Sequence, residues 1–204
     1  MTTIEHLSPL PAIALQNPGP FLTVPNAVTL VRTVAAIVLG MIALARQDMT
    51  LLVAAYSSYW IGDMLDGWTA RRLGQETRAG AVFDIICDRA CTAIACAALV
   101  VIVPDALVAA VAFLLSFMVL DTMLSLTFLC WPVLSPNYFH LVDHHVWLLS
   151  WSPAAKALNT AGAVGALALG RYGAAVAVTL LIGAVKVWSL VRVGRLLATS
   201  AAAS

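Results

Sequence analysis

The sequence predicts an all-α integral membrane protein, built as a bundle of about six transmembrane helices with both termini in the cytoplasm. Of its 204 residues 62% are hydrophobic and only 10% are charged, whereas an ordinary soluble domain has about 25% charged residues. The mean hydropathy is +0.95. A soluble chain of this size could not bury so much apolar surface in one core, so this composition excludes a soluble enzyme, a disordered segment and a nucleic-acid-binding tail.

The apolar residues group into six stretches close to the length of about 20 residues that spans a bilayer. They lie near 25–45, 50–70, 80–103, 106–131, 154–170 and 172–195. The breaks between them carry the Gly, Pro and charged residues that are typical of turns. Residues 1–20 have no stretch long enough for a signal peptide, so we predict a juxtamembrane segment there, as a surface helix or a loop. Residues 21–204 then form one membrane domain.

The basic residues predict the orientation. With both termini in the cytoplasm, only Arg46 and Arg171 lie on the outer side. Eight others lie on or near the inner side: Arg32, Arg71, Arg72, Arg78, Arg89, Lys156, Arg192 and Arg195. This asymmetry agrees with the positive-inside rule. Lys186 falls within the last stretch, and we expect it to snorkel towards the interface.

Four of the ten acidic residues lie at the ends of two predicted spans, within residues 63–88. They are Asp63, Asp66, Asp84 and Asp88. A carboxylate at the centre of a span costs about 2.5–3.5 kcal/mol on insertion scales. On a helix that turns about 100° per residue, the members of each pair project to one side. We therefore expect antiparallel neighbouring helices to bring the two pairs together near the cytoplasmic surface.

Four carboxylates at short range cannot all stay ionised without cations. Oxygen donors without His or Cys suit Mg²⁺ or Mn²⁺, and four carboxylates suffice for two such ions. Paired divalent ions usually serve phosphoryl chemistry. Gly67, Ala70 and Gly80 leave room for a phosphate-bearing ligand, and Arg71 can neutralise phosphate. A plain salt-bridge network remains open, with Arg71, Arg72, Arg78 and Arg89 as partners of the acids.

These residues resemble a family signature at fixed spacing. The match is Asp63-x-x-Asp66-Gly67-x-x-Ala70-Arg71, eight residues, then Gly80-x-x-x-Asp84-x-x-x-Asp88. It resembles the signature of the CDP-alcohol phosphatidyltransferases without a departure. The upstream Pro25-Asn26-x-x-Thr29-x-x-Arg32, the chain length and the six spans are also similar to that family.

The resemblance implies a multi-pass enzyme of phospholipid biosynthesis that transfers the phosphatidyl group of CDP-diacylglycerol to an alcohol and releases CMP. It implies two Mg²⁺ or Mn²⁺ ions, held by Asp63, Asp66, Asp84 and Asp88, with Asp88 also the general base. It implies that Asn26, Thr29, Arg32, Asp66, Gly67, Ala70, Arg71 and Gly80 line the CDP cavity. It further implies a homodimer in the bilayer, whose active site faces the cytoplasm.

Two other functions are considered. A divalent-cation transporter also places carboxylates in spans, but near the midplane, whereas Arg71 and Arg72 here end the second span just after the acids. A catalytically inactive membrane scaffold would tolerate a broken motif, and this one is intact. The acceptor stays open among inositol phosphate, glycerol phosphate, phosphatidylglycerol and serine.

Several residues outside the motif carry weaker signals. Residues 131–160 hold three histidines with Lys156, and could cover the cavity and select the alcohol. For the consecutive Asp143, His144 and His145, a solvated or interfacial loop is favoured over a metal site, because three consecutive residues cannot all face one point on a helix. Trp residues are interpreted as interfacial anchors, among them Trp131, Trp147 and Trp151. The cysteines are interpreted as small buried apolar residues: Cys87, Cys91, Cys96 and Cys130.

Overall fold

The computed structural model describes residues 17–202, and every regular element within them is helical. The predicted segment 1–20 therefore lies almost entirely outside the described residues. The α-helices are α1 (Val24–Arg46), α2 (Met49–Leu73), α3 (Arg78–Ile102), α4 (Leu107–Leu115), α5 (Thr122–Leu126), α6 (His144–Ser150), α7 (Pro153–Ala168) and α8 (Tyr172–Ala202). The chain divides into two compact units, and the boundary falls between residues 114 and 115.

The unit Gly19–Leu114 is built on three long helices, with α1 packed against both α2 and α3. Each begins at a side-chain cap that accepts a hydrogen bond from a backbone N–H of the first turn: Thr23, Asp48 and Thr77. Gln47 and Gly74 end α1 and α2 in the left-handed conformation. These turns set α1 and α2, and then α2 and α3, antiparallel as neighbours along the chain.

The unit that begins at Leu115 contains one turn of π-helix, α5 to α8 and a 3₁₀-helix over Pro136–Leu141. The prediction of a solvated or interfacial loop at residues 143–145 is wrong in its secondary structure, because Asp143 caps α6 and His144 and His145 lie in that helix.

Trp131 and Phe139 are both buried, and their rings meet edge to face with centroids 5.4 Å apart. Trp151 is also buried and packs against Phe139, with ring centroids 4.9 Å apart. Trp131 and Trp151 are therefore core residues of this unit and not interfacial anchors.

Two further expectations need correction. Lys186 does not snorkel: its side chain is 4% exposed, and its Nζ lies 2.6 Å from Asp121 Oδ1. A buried ammonium is stable there because a carboxylate compensates its charge. Cys130 is exposed, whereas Cys87, Cys91 and Cys96 are buried as predicted, and all four are free thiols.

Within residues 17–202, four helical segments are long and apolar enough to cross a membrane: Val24–Arg46, Arg78–Ile102, Pro104–Cys130 and Tyr172–Thr199. Large apolar side chains such as Val31, Val34 and Leu181 are exposed on them, as they are on helices that face lipid. The protein is accordingly an integral membrane protein. Of the other two predicted spans, α2 carries four charged residues in its last three turns, and α7 has only 16 residues.

Candidate active site

The four aspartates converge as the sequence predicts. Carboxylate oxygens of Asp63, Asp66 and Asp84 lie within 4.8 Å of one another. Asp88 joins them, because one guanidinium contacts all four carboxylates. Asp63 and Asp66 stand one helical turn apart on α2, and Asp84 and Asp88 one turn apart on α3, so two helices present the four groups to one place.

The guanidinium that joins them belongs to Arg32 on α1. Its Nε donates to Asp66 Oδ2 at 2.6 Å. Its Nη2 donates to Asp63 Oδ1 at 3.4 Å, to Asp88 Oδ1 at 3.1 Å and to Asp84 Oδ1. The Arg32 side chain is 3% exposed. The positive charge of buried Arg32 therefore lies among the four aspartates. It compensates the negative charges of the carboxylates, which are costly beside an apolar helix bundle.

Neighbouring residues fix Arg32 and Asp66. Thr29 donates its hydroxyl to the same Asp66 oxygen at 2.8 Å. The Tyr59 ring lies 5.4 Å from Arg32 Cζ, which is the range of a cation–π contact. Gly62 lies against the carbons of the Arg32 side chain, so closely that a Cβ there would stand 2.6 Å from Arg32 Cδ. On α2 the residues Tyr59, Gly62 and Asp66 thus share one face.

The aspartates differ in their exposure to solvent. The side chains of Asp63 and Asp84 are 36% and 38% exposed, Asp88 is 20% exposed and Asp66 is 7% exposed. An oxygen of Asp66 also accepts hydrogen bonds from two different side chains of α1, those of Thr29 and Arg32. The cluster is therefore anchored at Asp66 and opens towards Asp63 and Asp84.

Other predicted residues lie beside the cluster. Asn26 is buried and donates its amide to the Phe21 carbonyl at 2.6 Å. Gly80 lies close to Asn26, since a Cβ there would stand 2.7 Å from Asn26 Oδ1. Both residues lie at the beginning of their helices, where Phe21 and Phe83 also meet with ring centroids 5.1 Å apart.

Gly67, Ala70 and Arg71 occupy the last two turns of α2. Arg71 is exposed. It folds back towards Gly67, where a Cβ would stand 3.4 Å from its Nη1. The structure thus brings Thr29 and Arg32 into the aspartate cluster, and leaves Arg71 at the surface near it.

The sequence alone does not indicate the central position of Arg32 or the contacts of Tyr59 and Gly62. Its charge pattern suggests four other arginines as partners of the acids, and these do not occupy the centre of the cluster. The spacing of Tyr59, Gly62 and Asp66 along α2, at i, i+3 and i+7, could have indicated a common face. It could not have indicated that α1 packs against that face.

The donor set fits a divalent metal ion. The grouped ligand atoms of Asp63, Asp66 and Asp84 are all carboxylate oxygens, which hard cations such as Mg²⁺ and Mn²⁺ prefer. The carboxylates of the cluster already bind one positively charged group, the Arg32 guanidinium. The same oxygens can therefore serve as ligands.

A family model described as CDP-alcohol phosphatidyltransferase matches residues 22–188. The chain belongs to the CDP-alcohol phosphatidyltransferase family. The matched residues include all four aspartates and Arg32. Members are phosphotransferases of phospholipid biosynthesis that use divalent metal and act on CDP-linked alcohols in the membrane. No curated protein and no solved structure matches the chain significantly. The family thus establishes this chain as a phosphotransferase, and the cluster is its candidate active site.

Proposed function

We propose that this phosphatidyltransferase transfers the phosphatidyl group of CDP-diacylglycerol to the hydroxyl of an alcohol and releases CMP. The observation that supports the proposal is the convergence of four carboxylates from α2 and α3 on one cation. Two of those carboxylates, on Asp63 and Asp84, are more than one-third exposed, so a ligand can reach the cluster.

Asp63, Asp66, Asp84 and Asp88 would hold two Mg²⁺ or Mn²⁺ ions. When bound, these ions supply positive charge that offsets the pyrophosphate and favours the departure of CMP. The chain itself positions one of the metal-binding carboxylates, because Thr29 and Arg32 of α1 donate hydrogen bonds to Asp66.

Asp88 is the proposed general base. An alcohol is a poor nucleophile at neutral pH, so a carboxylate that takes its proton speeds attack. The acceptor oxygen forms a bond to the phosphorus that bears the lipid, the bond from that phosphorus to the CMP oxygen breaks, and the hydroxyl proton passes to Asp88. The 20% exposure of Asp88 lets a small hydroxyl approach it.

The CDP moiety is proposed to bind between the cytoplasmic ends of α1, α2 and α3. Gly67, Ala70 and Gly80 carry little or no side chain there, so the phosphates can approach the backbone. Arg71 is exposed nearby and can pair with a phosphate oxygen. Asn26, Thr29 and Arg32 contribute from α1.

The proposal includes the topology and assembly expected from the sequence. Residues 1–20 form a juxtamembrane segment and 21–204 one six-span domain, with both termini and the active site on the cytoplasmic side. The protein acts as a homodimer in the bilayer. This arrangement lets a soluble acceptor and CMP exchange with the cytoplasm while the acyl chains of CDP-diacylglycerol stay in lipid.

A transferase assay tests the proposal and identifies the acceptor. The purified protein in detergent is incubated with CDP-diacylglycerol, Mn²⁺ and one alcohol at a time: inositol phosphate, glycerol phosphate, phosphatidylglycerol or serine. We expect CMP release together with formation of the matching phospholipid for one of them. The Asp88→Asn variant is the control for background hydrolysis. A cation transporter or an inactive scaffold would release no CMP with any alcohol.

A further inference from the structure

Arg32 binds the oxygens that a metal ion would need. Its Nη2 contacts one oxygen each of Asp63, Asp84 and Asp88, and its Nε contacts Asp66 Oδ2. Every aspartate of the cluster therefore gives one oxygen to the guanidinium. A divalent cation at the same carboxylates would be repelled by this charge at short range, and the burial of Arg32 weakens the screening by water.

Two residues of α2 hold the guanidinium in this position. Tyr59 presents its ring to Arg32 Cζ at 5.4 Å. Gly62 lets the aliphatic part of the side chain pass directly over α2, because a Cβ there would stand 2.6 Å from Arg32 Cδ and 3.0 Å from Cγ. Neither residue belongs to the spaced motif, and neither lies within hydrogen-bonding distance of an aspartate in the contacts described above.

The guanidinium is not fully satisfied in its position. Arg32 Nη1 is buried and has no hydrogen-bond partner. A buried donor without an acceptor costs stability. The Arg32 guanidinium is thus strongly attracted to four carboxylates, but one of its donors, Nη1, has no acceptor. Because this donor loses no hydrogen bond when Arg32 moves, the free-energy cost of displacing the side chain is lower.

We propose that Arg32 is a built-in counter-ion of the aspartate cluster that competes with divalent metal for the carboxylates, and that Tyr59 and Gly62 are positioning residues that hold it there. The inference rests on the proposed function, since it takes the cluster to be the metal site. Its consequence is that the protein binds divalent metal more weakly than four carboxylates alone would.

Metal affinity without lipid substrate tests the inference. The protein is stripped of metal with EDTA and desalted, and free Mn²⁺ is then followed by electron paramagnetic resonance during a titration. We expect Arg32→Gln to bind Mn²⁺ at least about 10-fold more tightly than wild type, because a positive charge next to the ion is gone. Unchanged or weaker Mn²⁺ binding by Arg32→Gln would overturn the inference.

Arg46→Gln is the matched control. It removes the same charge from the same helix, but from an exposed position about 21 Å along the axis at about 1.5 Å per residue. We expect its Mn²⁺ affinity to equal that of wild type. An equal gain in both variants would contradict a local role of Arg32 and indicate a general effect of net charge.

A second pair of variants avoids the loss of the buried arginine, in case Arg32→Gln does not fold. Tyr59→Leu removes the ring that faces Arg32, whereas Tyr59→Phe keeps it. We expect Mn²⁺ binding about 2–5-fold tighter in Tyr59→Leu than in Tyr59→Phe, which is the scale of a cation–π contact. Equal affinities would overturn the role of Tyr59. Because these titrations contain no CDP-diacylglycerol, their outcome is separate from the transferase assay, which alone decides the proposed reaction.

Discussion

At the scale of single residues, the four aspartates are chemically alike but differ in their surroundings. Asp66 is nearly enclosed and is fixed by Thr29 and Arg32. Asp63 and Asp84 are more open. Asp88 lies one turn beyond Asp84 on α3, and its side chain is 20% exposed. These differences support separate roles for the anchoring residue, Asp66, and for the proposed base, Asp88.

Replacement of Asp88 by Asn should separate chemistry from binding. Asn has nearly the same size, so α3 should persist, and the other three aspartates can still hold metal against the pyrophosphate. We expect CDP-diacylglycerol binding to be retained and turnover to fall by about 10²–10⁴-fold, the usual contribution of general acid–base catalysis. Nucleotide affinity and turnover are measured on one folded preparation. Near-normal turnover would remove Asp88 from the chemistry, and loss of both would make it chiefly a metal ligand.

Replacement of Gly62 by Ala should disturb the cluster sterically. The new methyl group would overlap the Arg32 side chain, whose guanidinium is tied to four carboxylates. We expect a loss of about 1–3 kcal/mol in the free energy of unfolding, the usual cost of overpacking. Thermal unfolding followed by tryptophan fluorescence measures it.

Gly165→Ala is the control for Gly62→Ala. Gly165 also lies within a helix, but a Cβ there meets nothing within 4 Å. Ala has the higher helix propensity, so this variant should be neutral or more stable by up to about 1 kcal/mol. Equal effects of the two substitutions would contradict the close packing of Arg32 on α2.

The sequence predicts that the four aspartates converge, but it does not predict which residues of other helices contact them, and the reason is physical. Spacings of three and four residues place Asp63 with Asp66, and Asp84 with Asp88, because helix geometry alone decides which residues share a face. Arg32 meets them from α1, at a sequence distance of 31 to 56 residues. That contact depends on how α1 packs on α2 and α3, which no local spacing encodes.

At the scale of helices, the long apolar stretches are easy to predict and the short buried elements are not. Helices α1, α2 and α3 begin and end within a few residues of the predicted spans, because length and hydropathy define them. The sequence does not indicate the helices within residues 136–150, since the 3₁₀-helix Pro136–Leu141 and the seven-residue α6 are too short to show a periodic apolar pattern. Trp131 and Trp151, which suggested an interface, instead form a core with Phe139.

The buried ion pair of the second unit should be essential to its helix packing. Asp121 ends the π-helical turn Ser116–Asp121, and Lys186 lies in α8. Lys186→Met removes the buried ammonium that lies against Asp121, so we expect a loss of about 3–5 kcal/mol in the free energy of unfolding. The double variant Lys186→Met with Asp121→Leu should recover much of this loss.

Lys156→Met serves as the control for the ion pair. Lys156 is exposed and donates to Asn137 Oδ1 at 2.8 Å, and even a full ion pair at an exposed site contributes only about 0–1 kcal/mol. Unfolding is measured for all variants in one detergent. A single Lys186→Met variant as stable as Lys156→Met would show that the pair contributes nothing.

At the scale of the whole molecule, the exposed apolar residues and the four apolar helical segments indicate a protein embedded in the bilayer. The orientation is a prediction from the asymmetry of basic residues. Exposed Arg72 lies in the last turn of α2, and exposed Arg171 lies between α7 and α8. With six spans, these two positions fall on opposite sides of the membrane.

Cysteine labelling tests this orientation. In a background with Cys130 replaced by Ala, which removes the exposed thiol, Arg72→Cys and Arg171→Cys are treated with a membrane-impermeant maleimide. We expect Arg171→Cys to be labelled in intact cells and Arg72→Cys only after lysis, because the first lies outside and the second faces the cytoplasm. The reverse pattern would place the aspartate cluster on the outer side, and labelling of both in intact cells would contradict the six-span arrangement.

The central claim is that the aspartate cluster performs metal-dependent phosphatidyl transfer. The most direct test measures alcohol-dependent CMP release from CDP-diacylglycerol with Mn²⁺, after excess EDTA, and after Mn²⁺ is returned. Wild type should be active with Mn²⁺, inactive in excess EDTA and active again when Mn²⁺ is returned, because the reaction requires a divalent cation bound by the carboxylate oxygens. Asp84→Asn should bind Mn²⁺ weakly and stay inactive throughout. Full CMP release in excess EDTA, or unchanged Mn²⁺ affinity and activity in Asp84→Asn, would contradict the account.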